Sequence, residues 1–159
     1  MMTAQHLEEH NWLARLVDEW TFETECSMGP DQPPSKVVGT EIVRSLGGHW
    51  TVGEGECPSP EGGWKSIMTL GYDLATKRFV GTFVASMMTY LWIYNGSLDA
   101  DKKVLTLDAE GPNWTDGSII KYQDLVEFLS DDHRTLSSQT LDEDGQWHPF
   151  MKAHYRRKR

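Results

Sequence analysis

Residues 118–129 read SIIKYQDLVEFL, a stretch in which apolar and polar side chains alternate. Successive side chains of a β-strand point to opposite faces of a sheet, so this period of two predicts a strand with one buried face. Asp124 interrupts the apolar side. Because a buried carboxylate needs a partner, we expect it either to be hydrogen-bonded or to face a hydrated interior. The apolar set is Ile120, Tyr122, Val126 and Phe128, and the polar set is Lys121, Gln123 and Glu127.

The same alternation recurs in nine other segments, which are separated by turn-forming residues such as Gly47-Gly48 and Asn95-Gly96. No segment between them is helical over the length that a crossover between parallel strands requires. Short strands at this spacing predict an all-β fold, an antiparallel up-and-down β-barrel of about ten strands, because closure removes the exposed sheet edges. The nine segments are residues 20–28, 37–46, 49–56, 64–73, 77–88, 90–96, 103–111, 134–141 and 150–157.

A helical segment precedes the strands, since apolar residues recur there at a spacing of three to four. We expect this N-terminal helix to cap one end of the barrel through Leu13, Leu16 and Val17. A chain of 159 residues fits one domain, which is predicted to span residues 1–159.

The charge and composition of the chain disfavour several classes of partner. A formal net charge of −9 argues against nucleic acid, whose phosphate backbone is bound by Lys and Arg. The basic run at residues 156–159 is expected to be a frayed, solvated tail. No apolar run reaches the roughly 18 residues of a membrane span, so no membrane association is expected. Cys26 and Cys57 form no C-x-x-C pair, which favours a reducing, cytoplasmic compartment.

Five segments, in order along the chain, carry a resemblance to a known family. They are HNWLARLVDEW (10–20), LGGHW (46–50), LGYDLATKRFVGTFVASM (70–87), GSLDADKKVLTL (96–107) and DEDGQWHPFMKAHYRRK (142–158). On these segments the chain resembles the bacterial domain-of-unknown-function family numbered 1579, of lipocalin-like (calycin-like) β-barrel type. The resemblance covers nearly the whole chain and implies a lipocalin-like barrel. It implies no particular reaction, because a fold does not dictate a function.

The chain departs from the family pattern within the most specific of these segments. Where many relatives carry Trp-x-Asp-Ser-Met, residues 83–87 of this chain read FVASM. Phe83 keeps an aromatic ring, but Ala85 removes the carboxylate. A role that depends on that acid is therefore not expected here.

Residues 6–10, HLEEH, match the H-x-x-E-H pattern of one class of zinc metalloproteases. His6 and His10 are one helical turn apart and could reach the same ion, but a catalytic zinc needs a third protein ligand. We therefore interpret the pair as part of a polar helix face. No metal site is predicted beyond weak, adventitious binding of nickel or zinc. His148 and His154 are predicted to be isolated histidines at the surface.

A partial match to a haem-binding motif keeps one further alternative open. Residues 48–58, GHWTVGEGECP, are similar to the glycine-rich motif of nitrobindins, but the match is one residue short and Cys57 replaces a tyrosine. A haem site also needs an axial ligand, usually His, and the sequence identifies none. The sequence contains no G-x-S-x-G elbow or glycine-rich phosphate loop. We therefore predict no catalytic residues, favour a non-enzymatic protein, leave the cofactor unknown, and keep a haem-binding, nitrobindin-like protein as an alternative.

Large aromatic and methionine side chains are concentrated in the central strands. They could fill the barrel, or they could line a cavity that holds a ligand. Polar residues on otherwise apolar faces (Thr24, Ser66 and Asp124) favour the cavity. We predict that the lumen binds a small apolar or aromatic molecule. Its predicted contacts are Phe22, Met68, Phe83, Met87, Trp92 and Tyr122.

The other interpretation is a filled barrel whose function lies on its outer surface. Residues 90–94, YLWIY, are large and apolar on both faces of the strand. Outward-facing side chains of this kind are usually covered by a partner. This alternative predicts a structural or interaction protein that forms a homo-oligomer through the Tyr90–Tyr94 strand.

Overall fold

A computed structural model describes residues 5–26 and 35–158 of the chain. These residues form one short helix and ten strands, and the strands close into an antiparallel up-and-down β-barrel, which confirms the predicted fold class. The last two residues of the predicted segment 20–28 lie outside the described residues. The elements are α1 (Glu8–Ala14), β1 (Asp18–Cys26), β2 (Ser35–Leu46), β3 (Trp50–Cys57), β4 (Trp64–Asp73), β5 (Arg78–Ala85), β6 (Trp92–Leu98), β7 (Val104–Pro112), β8 (Ile119–Ser130), β9 (His133–Leu141) and β10 (Trp147–Arg157).

Each strand pairs with its neighbours along the chain, and β1 pairs with β10 to close the sheet. In this seam Trp20 lies opposite Arg157 at the end where β1 begins. The register of β10 against β9 shifts between Pro149 and Met151, where proline has no backbone N–H to donate to the ladder. Closure pairs both edges of the sheet, so the ten strands of the described residues leave no edge strand for another chain to extend.

Strand β8 shows the two faces that its sequence predicts. Tyr122, Val126 and Phe128 are buried, whereas Lys121 and Leu129 are exposed. The buried set points into the barrel and the exposed set points to solvent, because side chains alternate along a strand. The position of each side chain relative to the barrel therefore follows from the two-residue period.

A glycine on β2 makes room for a large ring on β1. Gly39 lies opposite Phe22 in the register of the two strands. A Cβ atom at Gly39 would lie 2.4 Å from the Phe22 ring and 2.4 Å from the backbone oxygen of Glu56. The ring of Phe22 thus lies across the backbone of β2, an arrangement that a larger residue would prevent.

The N-terminal helix closes the end of the barrel where β1 begins. Leu13 and Leu16 are 1% and 4% exposed, and the indole N–H of Trp12 donates to the backbone carbonyl of Lys102 at 2.8 Å. The helix ends before Leu16, so this residue and the half-buried Val17 cap the barrel from the turn that follows. Among the described residues, no helix has the length and apolar character needed to cross a membrane.

Residues 156–158 of the basic C-terminal run do not form a frayed tail, which corrects the expectation from sequence. Arg157 belongs to β10, and its guanidinium donates to the backbone carbonyl of Arg15 (2.7 Å) and to the carboxylate of Asp18 (2.9 Å). It also lies over the indole ring of Trp20, 4.5 Å from a ring centroid. One arginine therefore ties the last strand to the first strand and to the cap. Arg159 lies outside the described residues.

Replacing Leu13 by Ala tests whether the helical cap belongs to the core. We expect the free energy of unfolding to fall by about 2–5 kcal/mol, because the change leaves a cavity between the cap and the barrel. Leu129→Ala is the matched control, since Leu129 is 52% exposed, and it should change the free energy by about 0.5 kcal/mol or less. Urea denaturation measures both. Equal losses would show that the cap is not part of the cooperative core.

Candidate functional site

The barrel encloses a cavity of about 370 Å³, a volume within the range of small-molecule pockets. The cavity reaches Leu16 at the capped end and opens at the other end, where Met87 and Trp114 are 57% and 67% exposed. Binding of a ligand by this wall remains a prediction. All six residues predicted as ligand contacts, and the three polar residues singled out with them, lie on this wall: Phe22, Met68, Phe83, Met87, Trp92, Tyr122, Thr24, Ser66 and Asp124.

Aromatic rings crowd the open end of the cavity. Trp92 stands edge-on to Tyr90 and Tyr122, with ring centroids 4.9 and 4.8 Å away. Its indole N–H points to the sulfur of Met88 at 3.2 Å. A Cβ atom at Gly111 would lie 2.2 Å from the Trp92 ring, so glycine is required for the ring to lie in this position. The rim is therefore apolar and held in place by its own contacts.

Three polar groups interrupt the apolar wall about halfway along the cavity. Asp124 accepts hydrogen bonds from the hydroxyls of Tyr94 (2.5 Å) and Ser138 (2.6 Å). Burial inside the barrel raises the pKa of the Asp124 carboxyl above its ordinary value, although both hydrogen bonds act in the opposite direction. The pKa of the Tyr94 hydroxyl is raised well above its ordinary value, mainly by burial and secondly by the charge of the neighbouring Asp124 carboxylate. The hydroxyl therefore keeps its proton and donates the hydrogen bond.

An ion pair lies at the floor of the cavity beside the cap. The guanidinium of Arg134 donates to Glu41 at 2.6 Å, and these side chains are 5% and 13% exposed. The Arg134 guanidinium also lies over the rings of Trp20 and Tyr155, 4.5 and 4.0 Å from the centroids. Its Nε atom is buried without a hydrogen-bonding partner among the described residues. Such a pair adds little net stability, but removal of one member leaves an uncompensated buried charge.

The wall of the cavity suits non-covalent binding. Aromatic and methionine side chains offer a large, polarizable apolar surface, and the groups around Asp124 and Arg134 offer fixed hydrogen-bonding points. No histidine or cysteine occurs among the described residues that line the cavity. The usual axial ligand of haem is therefore missing from the described part of the wall.

Three histidines converge outside the lumen, an arrangement that the sequence interpretation missed. His6, His10 and His49 each bring a possible ligand nitrogen to within 4.8 Å of the others. His10 is 2% exposed, so the prediction of a polar helix face is wrong for this residue. Burial lowers the pKa of His10 below its ordinary value, although a hydrogen bond to the carbonyl of Tyr72 acts in the opposite direction. Residues 46–50, LGGHW, carry His49, but nothing in them indicates which element it faces.

The histidines of the last strand have partners that the sequence did not reveal. His148 is exposed, as predicted, but its Nε2 lies 2.5 Å from a carboxylate oxygen of Asp142. His154 lies beside His133 of β9, with Nδ1 and Nε2 atoms 2.9 Å apart. The prediction that both are isolated is therefore wrong.

Comparisons with known proteins agree with this architecture. A family model described as "Protein of unknown function (DUF1579)" matches residues 5–157. No curated protein matches the sequence. The structure is similar to that of Rv2717c from M. tuberculosis, with a TM-score of 0.63 and 14% identity over 99% of this chain and 100% of that one. It is also similar to the S-type phycobiliprotein lyase CPES from Guillardia theta, with a TM-score of 0.57 and 10% identity over 98% of this chain and 99% of that one. At such low identities the similarity shows the fold alone.

Asp124→Asn tests the effect of burial on this carboxyl. Because its pKa is raised in the folded state, the folded protein holds the proton more tightly than the unfolded chain. Below the unfolded-state pKa of about 3.9, the carboxyl is protonated in both states and costs no stability. Between this pKa and the higher folded-state pKa, the free energy of unfolding falls as the pH rises, and above the folded-state pKa it stops falling. The loss is about 1.4 kcal/mol for each unit of the shift. The Asn side chain of D124N does not titrate. We therefore expect the wild type to lose stability relative to D124N as the pH rises through this window, and the difference between their free energies of unfolding to level off above it.

The control for this experiment is Asp108→Asn, which makes the same change in charge on the exposed outer face of the adjacent strand β7. Urea denaturation of the three proteins at a series of pH values gives the comparison. A difference between wild type and D124N that is flat with pH, or that equals the difference for D108N, would contradict the raised pKa.

Proposed function

The chain belongs to the DUF1579 family, as its motifs predict, and because the description of that family assigns no activity, we propose a function from the geometry of the barrel. The lumen binds a small, largely apolar or aromatic molecule, and no catalytic step is part of the proposal. The observation that carries it is the 370 Å³ cavity with a mainly apolar wall. The buried, unpaired thiol of Cys57 supports the cytoplasmic location expected from the sequence.

The proposed contacts surround the cavity at different depths. Phe22 stacks on Trp64, with ring centroids 5.9 Å apart and planes inclined by 24°. Met68 and Phe83 are register partners on β4 and β5, so their side chains lie side by side on one wall. Trp92 lies on the rim. A flat, apolar molecule that entered past Trp92 would contact rings and a thioether along most of its length.

The polar groups around Asp124 support a ligand with one hydrogen-bond donor. Each carboxylate oxygen of Asp124 accepts one hydrogen bond from the protein and keeps a further lone pair. An N–H or O–H group of a ligand, aimed at these oxygens, would fix its orientation in an otherwise apolar cavity. Pockets of this type obtain affinity from apolar area and specificity from a few polar groups.

Ala109→Phe tests binding in the lumen. Ala109 is 8% exposed and lies on the cavity wall, so the added ring would occupy space that a ligand needs. We expect saturable quenching of tryptophan fluorescence when the wild type is titrated with a panel of apolar aromatic probes, and at least a tenfold weaker apparent affinity for A109F. Probe binding should quench the tryptophans that line the cavity, Trp64, Trp92 and Trp114, and the quenching lost in Trp92→Phe measures the part that comes from Trp92.

The matched control is Ala100→Phe, the same change in an exposed turn between β6 and β7, which should bind as the wild type does. Haemin belongs in the panel, since a shift of its Soret band would favour the nitrobindin-like alternative. The proposal fails if no probe gives saturable quenching with the wild type. It also fails if A109F and A100F bind equally well.

A second candidate function is favoured by the outer face of residues 90–94. Leu91 and Ile93 are 51% and 65% exposed, and Val84 and Ile67 on the next two strands are 41% and 43% exposed. These four residues form a row of apolar side chains on the outside of the barrel. We propose this row as the contact surface of a homo-oligomer. The proposal is compatible with an occupied lumen, because the inward side chains of the same strand line the cavity.

Ile93→Lys tests the oligomer. We expect the weight-average mass of the wild type in sedimentation equilibrium to rise with concentration and that of I93K to stay at the monomer value, because a charge at the centre of an apolar contact opposes association. Ile42→Lys makes the same change at a 55% exposed residue of β2 and should behave as the wild type. A wild type that stays monomeric at all concentrations would rule out this surface as an interface.

A further inference from the structure

The three histidines beside α1 come from two distant parts of the sequence. His6 precedes the helix, His10 lies within it, and His49 lies in the turn between β2 and β3. Their ring centroids are 4.8 to 5.8 Å apart. We propose that His6, His10 and His49 together bind one divalent transition-metal ion of the zinc class, at a site separate from the lumen. Imidazole nitrogens suit zinc, copper and nickel rather than the oxygen-seeking ions calcium and magnesium.

The strongest sign of a ligand is an unsatisfied nitrogen. The Nε2 atom of His49 is buried and has no hydrogen-bonding partner among the described residues. Its ring stands edge-on to the buried ring of His10, at 4.8 Å between centroids. A buried polar atom without a partner is unfavourable and rare. Coordination of a metal ion by the Nε2 lone pair would satisfy it, whereas ring packing alone does not.

A side-chain amide holds the ring of His6 in a state that can bind metal. The Nε2 atom of His6 lies 2.6 Å from the Oδ1 atom of Asn11. Because an amide oxygen only accepts hydrogen bonds, Nε2 carries the proton and Nδ1 keeps its lone pair. A Cβ atom at Gly48 would lie 3.9 Å from this Nδ1, so the free nitrogen faces the turn that carries His49. Histidines that bind metals usually donate their other N–H in this way.

His10 already has a hydrogen bond at each nitrogen. Its Nε2 lies 3.3 Å from the backbone carbonyl of Tyr72, and its Nδ1 accepts from the backbone N–H of Leu7 at 2.9 Å. A backbone carbonyl is a usual partner for the distal nitrogen of a metal-binding histidine, so Nδ1 is the ligand atom. Metal binding would therefore replace the hydrogen bond from the backbone N–H of Leu7 to His10 Nδ1. This N–H lies at the start of the helix, where backbone N–H groups have no partner within the helix.

The site needs a small contraction to hold an ion. A zinc–nitrogen bond of about 2.0–2.1 Å places two nitrogens on a tetrahedral ion roughly 3.4 Å apart, compared with the 4.8 Å limit in this structure. His6 is exposed and lies ahead of the helix, so it can move by the remaining distance, while His10 is fixed by burial. Three protein ligands leave the fourth position to water.

An ion at this site would fasten the cap to the barrel. His49 immediately precedes β3, and the carbonyl of Tyr72 that holds His10 belongs to β4. The ion would therefore join α1 to the two strands on which it rests. An ion that binds the folded state alone raises stability by mass action, so the thermal unfolding midpoint should increase with zinc concentration.

Cobalt and zinc titrations of the full-length chain test the proposal. The protein is purified without a histidine tag and treated with a chelator before use. We expect one equivalent of Co²⁺ to produce saturable ligand-field absorption bands in the visible range, displaced by one equivalent of Zn²⁺. We also expect Zn²⁺ to raise the unfolding midpoint of the wild type. His49→Ala should weaken binding at least tenfold and abolish the zinc-dependent increase.

His6→Ala provides a second variant whose folding is safe, because His6 is exposed, and it should weaken binding at least tenfold too. His154→Ala is the control, since His154 and His133 form another, half-buried histidine pair, and it should bind as the wild type does. The proposal is overturned if the wild type shows no saturable binding of one equivalent. It is also overturned if H154A loses the ion while H6A and H49A keep it. Neither outcome depends on a ligand in the lumen.

Discussion

The pairing of β1 with β10 makes a closed container of what would otherwise be an open sheet. An open sheet of this length would expose two unpaired edges and leave its apolar face in water. The seam depends on Trp20, which is fully buried at its start. The guanidinium groups of Arg134 and Arg157 lie over this indole, and its N–H donates to the carbonyl of Leu16 in the cap. The seam, the floor of the cavity and the cap therefore meet at one side chain.

Closure of ten strands encloses more space than the inward side chains fill, and this allows polar groups inside the barrel. Glu41 on β2 bonds to Arg134 on β9, and Tyr94 on β6 bonds to Asp124 on β8. Neither pair joins adjacent strands, so each bond spans part of the interior and braces the wall. Buried polar and charged groups need partners, and these two bonds supply them across the interior.

The sequence predicts the strands well because the period of two is a local property. The segment 64–73 coincides with β4, whereas the predicted segment 77–88 extends past the end of β5 at Ala85. There the chain turns, and Ser86 exchanges hydrogen bonds with the backbone of Lys65, an interaction between distant residues that no local pattern contains. Alternation also shows that Met68 and Trp92 point inward. It does not show how much space remains between them, which depends on the number of strands and on closure.

The histidine cluster illustrates the limit of local patterns more sharply. His6 and His10 are visible as a helical pair, but the third member, His49, reaches them because α1 packs against β3 and β4, and this docking is decided by the burial of Leu13 and Trp12. The two ends of the barrel consequently differ in chemistry. The capped end combines the buried imidazole of His10 with the hydrogen bonds of Arg157, so polar contacts there fasten the cap to the barrel. The open end presents Met87 and Trp114 to solvent around a mainly apolar cavity, so the proposed ligand would enter at the end opposite the cap.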